Sequence, residues 1–175
     1  MKNYSKKDCF LTLCLTVSGA VFGILSKSGD VAVQGDILGN ILHAFGSVSS
    51  GFFIWVVICT GISVLSKNRF LAAVNILVFL IFMLLSYYLY SYFIVEYLVL
   101  RIVKFWIVML IPSAALGSIV WNLKTNSALK YIVLAAGTLI FIFDVITGGQ
   151  LIIAIPMYAI LYGAFLTMVI AKRRK

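Results

Sequence analysis

Apolar residues run along this chain in six long stretches, at about 9–26, 48–66, 70–94, 102–122, 128–147 and 151–171, parted by short polar links. Each approaches the ~20 residues that a helix needs to cross a hydrocarbon core. The pattern predicts an all-α fold of six transmembrane helices, in one integral membrane domain over residues 1–175. The first stretch follows Lys2, Lys6 and Lys7, as a signal peptide would. Its length and the lack of a clear A-x-A site favour an uncleaved span.

A seventh segment differs in period. Asp36, Asn40, His43 and Ser47 recur at spacings of four, three and four, with Ile37, Leu38, Ile41, Leu42 and Phe45 between them. On a helix those four polar groups share one stripe. Asp36 follows Gly35 and suits an N-cap. The segment reads as a short amphipathic helix in the longest connection, 27–47, or as the overhanging start of the second span. Its polar stripe either lies at the interface or faces a cavity as a lid.

Composition strengthens the membrane reading. The chain is 63% hydrophobic and 11% charged, with a mean hydropathy of +1.14. Lipid can solvate such a surface and water cannot. The net charge of +9 changes the picture only through its placement. With six crossings, Lys67, Arg69, Lys124, Lys130, the N-terminal lysines and the tail Lys172-Arg173-Arg174-Lys175 share one face. Lys27, Asp30, Asp36, Glu96, Arg101, Lys104 and Asp144 share the other. The positive-inside rule then sets both termini in the cytoplasm of a multi-pass cell-membrane protein. Dispersed loop lysines of this kind do not point to nucleic acid. The basic tail also suits anionic headgroups of the bilayer.

Smaller features add detail. Tyr87, Tyr88, Tyr90, Tyr92 and Tyr97 crowd the outer end of the third span, as an aromatic belt or as the lining of a site. Trp121 suits the inner interface. Pro112 and Pro156 are expected to kink their helices. Gly19 and Gly23 make a small-xxx-small pair for close helix packing, and Asn75 suits an interhelical hydrogen bond. Cys9, Cys14 and Cys59 form no CxxC and suggest neither zinc nor a disulfide framework.

The sharpest residue is Asp144, about one turn from the outer end of the fifth stretch, in Phe-Ile-Phe-Asp144-Val-Ile-Thr147. Carboxylates within membranes are costly and tend to face a bundle interior or water. Arg101 and Lys104, one turn apart, are its expected ion-pair partners, with Glu96 nearby. A polar ligand pocket or proton coupling are the alternatives. The ligand-binding candidates are therefore Asp36, Asn40, His43, Arg101, Lys104 and Asp144. A single histidine is too little for a metal site. No HExxH, GxSxG or P-loop is present, so no enzyme, cofactor or nucleotide site is expected.

In size and topology the chain resembles the substrate-binding (S) components of energy-coupling-factor vitamin transporters. That resemblance implies an outward pocket under the first long loop, a small-molecule ligand, and a separate ATPase and membrane partner. The family docks its partner through a small-residue patch on the first helix, and Gly19 and Gly23 have that spacing here. The chain also resembles small bacterial membrane proteins rich in Ile, Leu and Tyr with a basic tail. That likeness leaves room for a non-transporting accessory, immunity or sensor subunit. A membrane enzyme on lipid or prenyl substrates would need convergent polar groups that the spacing does not supply.

Overall fold

The structure is a computed structural model that describes residues 6–148 and 154–170. Its regular elements there are all helical: α1 (Lys6–Asp30), α2 (Ile37–Ser50), α3 (Phe52–Leu65), α4 (Arg69–Phe93), α5 (Leu100–Val120), α6 (Ser127–Gly148) and α7 (Ala154–Ile170). A single 3-10 turn, Trp121–Lys124, follows α5. Four helices are long and apolar enough to cross a membrane, and the bent pair α2 and α3 makes a fifth if counted as one. α7 is apolar and shorter over its described length. Residues 151–153 and 171 of the expected sixth span, and the tail 172–175, lie outside the described residues.

Polar side chains set the helix starts. Asp36 accepts from Gly39 N–H at 2.8 Å and begins α2. Asn68 accepts from Leu71 N–H at 2.8 Å and begins α4. Asn126 accepts from Leu129 N–H at 3.2 Å at the start of α6. Each satisfies an amide that has no partner within its own helix. Inside the apolar stretches, hydroxyls turn back onto their own helices: Thr16 donates to the Thr12 carbonyl at 3.0 Å and Ser63 to the Cys59 carbonyl at 2.7 Å. Among apolar neighbours this gives each of these hydroxyls a partner. Pro112 sits within α5, which runs on through it. Pro156 falls in the first described turn of α7, and Ile152, whose carbonyl it would free, is outside the described residues.

The bundle is organised around two packings joined by α3. α1 and α4 run parallel and close. A methyl at Gly19 would collide with the Phe79 carbonyl, and one at Gly23 with the Met83 carbonyl and the Ser86 hydroxyl. The glycine pair is thus spent on a contact within the chain. On the other side, α3, α6 and α7 interlock aromatic rings. Phe53 meets Phe141 at 5.2 Å and Phe165 at 5.6 Å, and Phe141 stacks on Tyr162 at 4.5 Å. Such pairs add ~0.5–1.5 kcal/mol each beyond burial.

The two ends of the bundle differ. At one end Asn75, buried in α4, accepts from Thr12 of α1 at 2.8 Å and donates to Ser66 at 3.1 Å. The Ser66 carbonyl accepts from Trp121 Nε1 at 3.0 Å and Lys124 Nζ at 2.6 Å. Lys67 meets Asp8 at 3.5 Å, and Arg69 and Lys124 flank the Trp121 ring. At the other end Tyr87 donates to Asp30 at 2.5 Å, with Lys27 5.1 Å from the Tyr87 ring centre. The ion pair and most loop cations gather at the first end. The connection 94–99 lies at the second, where Ser91 donates to the Tyr97 carbonyl.

The second expected span differs most from its sequence reading. It is expected to run unbroken over 48–66. The helix instead stops at Ser50, and the chain turns by 71° before α3 begins at Phe52. Gly51 at the break is extended (φ −72°, ψ 158°) and brings no side chain to cap α3. The helix predicted around 37–47 is real and extends to Ser50.

Candidate functional site

The break between α2 and α3 needs partners from elsewhere, because α3 starts with open amides and no cap of its own. Asp144 supplies them. Its Oδ2 accepts from Phe53 N–H at 2.6 Å, and the Phe52 amide also bonds to the carboxylate. The carboxylate therefore occupies the positive end of the α3 dipole, where an anion is favoured. Gly51 permits the approach: a Cβ there would stand 2.6 Å from Asp144 Oδ2. Two further contacts fix the break from the α1 side. Ser50 donates to Asp30 Oδ1 at 3.0 Å, and Ser26 and Ser49 share a buried hydrogen bond of 2.7 Å.

Around this junction lies a small cavity of about 210 Å³, lined by polar groups of three helices. Ser47 and Ser50 come from α2, Asp144 and Thr147 from α6, and Tyr158 from α7, with Phe52 and Phe143 at its edge. Asp144 is 3% exposed and Tyr158 2%. Among the described residues Asp144 forms no ion pair, so the carboxylate meets amide dipoles and no cation. A negative group in a polar cavity can hold a ligand that donates hydrogen bonds or carries positive charge.

A second hollow of about 760 Å³ runs alongside. Its walls are α5 and α6, and its floor is α3 and α4. α5 packs on α4 and α3, while α6 packs on α7 and α3, which leaves a furrow between them. The lining is apolar apart from Cys59, Thr60, Ser113 and the indole N–H groups of Trp55 and Trp106; the Ser113 hydroxyl is spent on the Met109 carbonyl at 2.7 Å, and Trp55 Nε1 is buried without a hydrogen-bond partner. Trp55 and Trp106 stack within it at 5.1 Å and 21°. Leu116 and Leu139 form an exposed rim. Phe52 and Phe143 line both hollows.

The six candidate residues do not converge. Asp144 is at the centre of the small cavity. Ser47, from the stripe predicted on α2, lines it too. Asp36 lies at the far end of that stripe, where its side chain caps α2, and Asn40 does not line the cavity. His43 keeps a buried Nδ1 without a hydrogen-bond partner and is one turn from the lining residue Ser47. Arg101 and Lys104 are exposed near the start of α5 and pair with neither Asp144 nor Glu96. The expected ion pair is replaced by the bond from Asp144 to the start of α3. The reason is geometric: the broken helix brings the Phe53 amide to 2.6 Å from the carboxylate, while Arg101 and Lys104 are not within ion-pair distance of it.

The sequence pattern does not single out the lining residues Ser50, Tyr158 and Thr147 or the amides of Phe52 and Phe53. The available signal was Ser49-Ser50-Gly51, a cluster of helix-stopping residues inside an apolar run. Asp30, with its bonds from Tyr87 and Ser50, was likewise a polar group of the outer set without an assigned partner. Among the described residues, no group of three or more His, Cys, Asp or Glu is placed to hold a metal ion.

Fold and site together define an all-helical protein of membrane-protein character, built on long apolar helices with one broken pair stapled by a buried carboxylate. No family model, no curated protein and no solved structure matches the chain.

Proposed function

We propose that the chain crosses the cell membrane six times, with both termini in the cytoplasm, and captures a small molecule at an outward-facing pocket around Asp144. In this reading α2 and α3 form one bent crossing and α7 is the sixth. The alternating run of the helices supports it, as does the gathering of Lys67, Arg69 and Lys124 at the end opposite Asp144. The carrying observation is the cavity itself: a carboxylate 3% exposed, among three hydroxyl side chains and Tyr158, with no cation paired to it among the described residues. Broken helices that meet a charged group at membrane depth are a recurrent way to build such sites. If the chain works as the S components do, a separate ATPase and membrane partner drive it. Gly19 and Gly23 are packed against α4, so the docking surface would lie elsewhere on the chain.

A second reading has its own observation. The Asp144 carboxylate already accepts two backbone amides, as a purely structural cap would. The chain would then be an accessory, immunity or sensor subunit that binds another membrane protein and no small ligand.

Native mass spectrometry of the gently solubilised protein from its own host separates the two. Capture predicts a bound small mass, lost in Asp144→Asn and in Tyr158→Phe while both variants stay folded. A protein partner with no small mass in the wild type would overturn capture in favour of the accessory role.

A further inference from the structure

We infer that the Asp144 cavity and the furrow between α5 and α6 are one site for a single-chain amphiphile with an ammonium head. The inference rests on the reading of the cavity as a ligand pocket and goes on to name the ligand class. The head would lie at Asp144 and the chain along the furrow.

Continuity is the first ground. Phe52 and Phe143 line both hollows and are 48% and 56% exposed, so they form a boundary at the surface and not a sealed wall. The polar hollow therefore opens at one end of the apolar one. A ligand that fills both must be polar at one end and apolar over the rest.

Size is the second. The furrow extends along α6 from Leu129 to Phe143, about 21 Å at about 1.5 Å per residue. That is the reach of one extended hydrocarbon chain of fatty-acid length. Its volume of about 760 Å³ is that of a ligand pocket, for which ~300–1,000 Å³ is usual. The head cavity of about 210 Å³ has room for the share of roughly seven waters at ~30 Å³ each. It suits a compact head and not a sugar chain.

Charge is the third. The carboxylate is buried, has no cationic neighbour among the described residues, and is flanked by side chains that bear no positive charge. Arg101 and Lys104, the cations that would welcome a phosphate or carboxylate head, stand exposed and line neither hollow. An ammonium brings both the missing charge and three hydrogen-bond donors. An anionic head would meet like charge at low dielectric.

The test uses the tryptophans of the furrow. Trp121→Phe removes the one tryptophan that lies elsewhere and leaves Trp55 and Trp106 as reporters. The protein, in a saturated-chain detergent, is titrated with 9,10-dibromooctadecylamine, whose bromines quench indole on contact. The expected result is saturable quenching, displaced by octadecylamine and at least tenfold less well by stearate or by butylamine, a difference of about 1.4 kcal/mol or more. Asp144→Asn and Ala136→Phe should each weaken binding at least tenfold. Ala136 lines the furrow and is far from the cap, so this variant tests the chain site with the α3 start intact. Displacement by butylamine as effective as by octadecylamine would overturn the amphiphile while leaving the pocket at Asp144. Equal displacement by stearate would show unselective lipid uptake and overturn the ammonium head. Absence of saturable quenching would overturn the site as a whole.

Discussion

Asp144 of α6 and Phe53 of α3, 91 residues apart in the chain, are joined by a hydrogen bond of 2.6 Å from the Phe53 amide to Oδ2. It performs for α3 what Asp36 and Asn68 perform for α2 and α4 from within their own segments. α3 begins in the middle of an apolar stretch without a capping side chain of its own. Here it draws one from a neighbouring helix.

The cap has a measurable weight. Asp144→Ala leaves the Phe53 amide buried and without a partner, and is expected to lower stability by about 2–3 kcal/mol. Asp144→Asn keeps an acceptor and loses charge, and should cost about 1 kcal/mol. Unfolding curves in mild detergent would check both. Equal, negligible losses would show that the bond does not hold the break.

The contact between α1 and α4 gives a sharper contrast. Gly19→Ala and Gly23→Ala each force a methyl into a backbone carbonyl of α4, and are expected to destabilise by about 1–3 kcal/mol. Gly163→Ala in α7 meets no atom within 4 Å and gains helix propensity. It should be neutral or stabilising by up to about 1 kcal/mol. Thermal unfolding should place Gly163→Ala at or above the wild type and the two α1 variants below it.

At the opposite end, Asn75 joins Thr12 to Ser66. A double-mutant cycle with Thr12→Val and Asn75→Leu should return a coupling of about 0.6 kcal/mol, the usual size for an interhelical hydrogen bond in membrane proteins. A coupling of zero would mean that the bond carries no stability.

How far the sequence leads can be seen at particular residues. The long apolar helices, the helix starting after Asp36, and Gly19 with Gly23 as a packing pair are legible, because period and small-residue spacing are local properties. Asp144 was legible as a cost that something must offset. Its partner was not. Arg101 and Lys104 are the attractive partners on charge alone, yet the amides at Phe52 and Phe53 exist as acceptors' targets only once the helix breaks at Gly51. That break depends on the 71° turn and on Asp30 and Ser26 from α1, which are tertiary facts. The furrow between α5 and α6 is equally invisible in sequence, since it arises from each helix preferring a different neighbour.

Orientation follows from accessibility. In a background without Cys9, Cys14 and Cys59, Gln34→Cys in the exposed link before α2 should react with a membrane-impermeant thiol reagent added outside intact cells. Lys67→Cys, in the exposed link before α4, should react only after permeabilisation. The reverse pattern would invert the topology.

The most direct test places the thiol in the pocket itself. Thr147 lines the cavity beside Asp144 and is exposed. In the same cysteine-free background, Thr147→Cys should be modified from outside intact cells, and about tenfold faster by a cationic methanethiosulfonate than by an anionic one, with Asp144→Asn removing that preference. A Thr147→Cys thiol that reacts only from inside, or not at all, would contradict an outward pocket governed by Asp144.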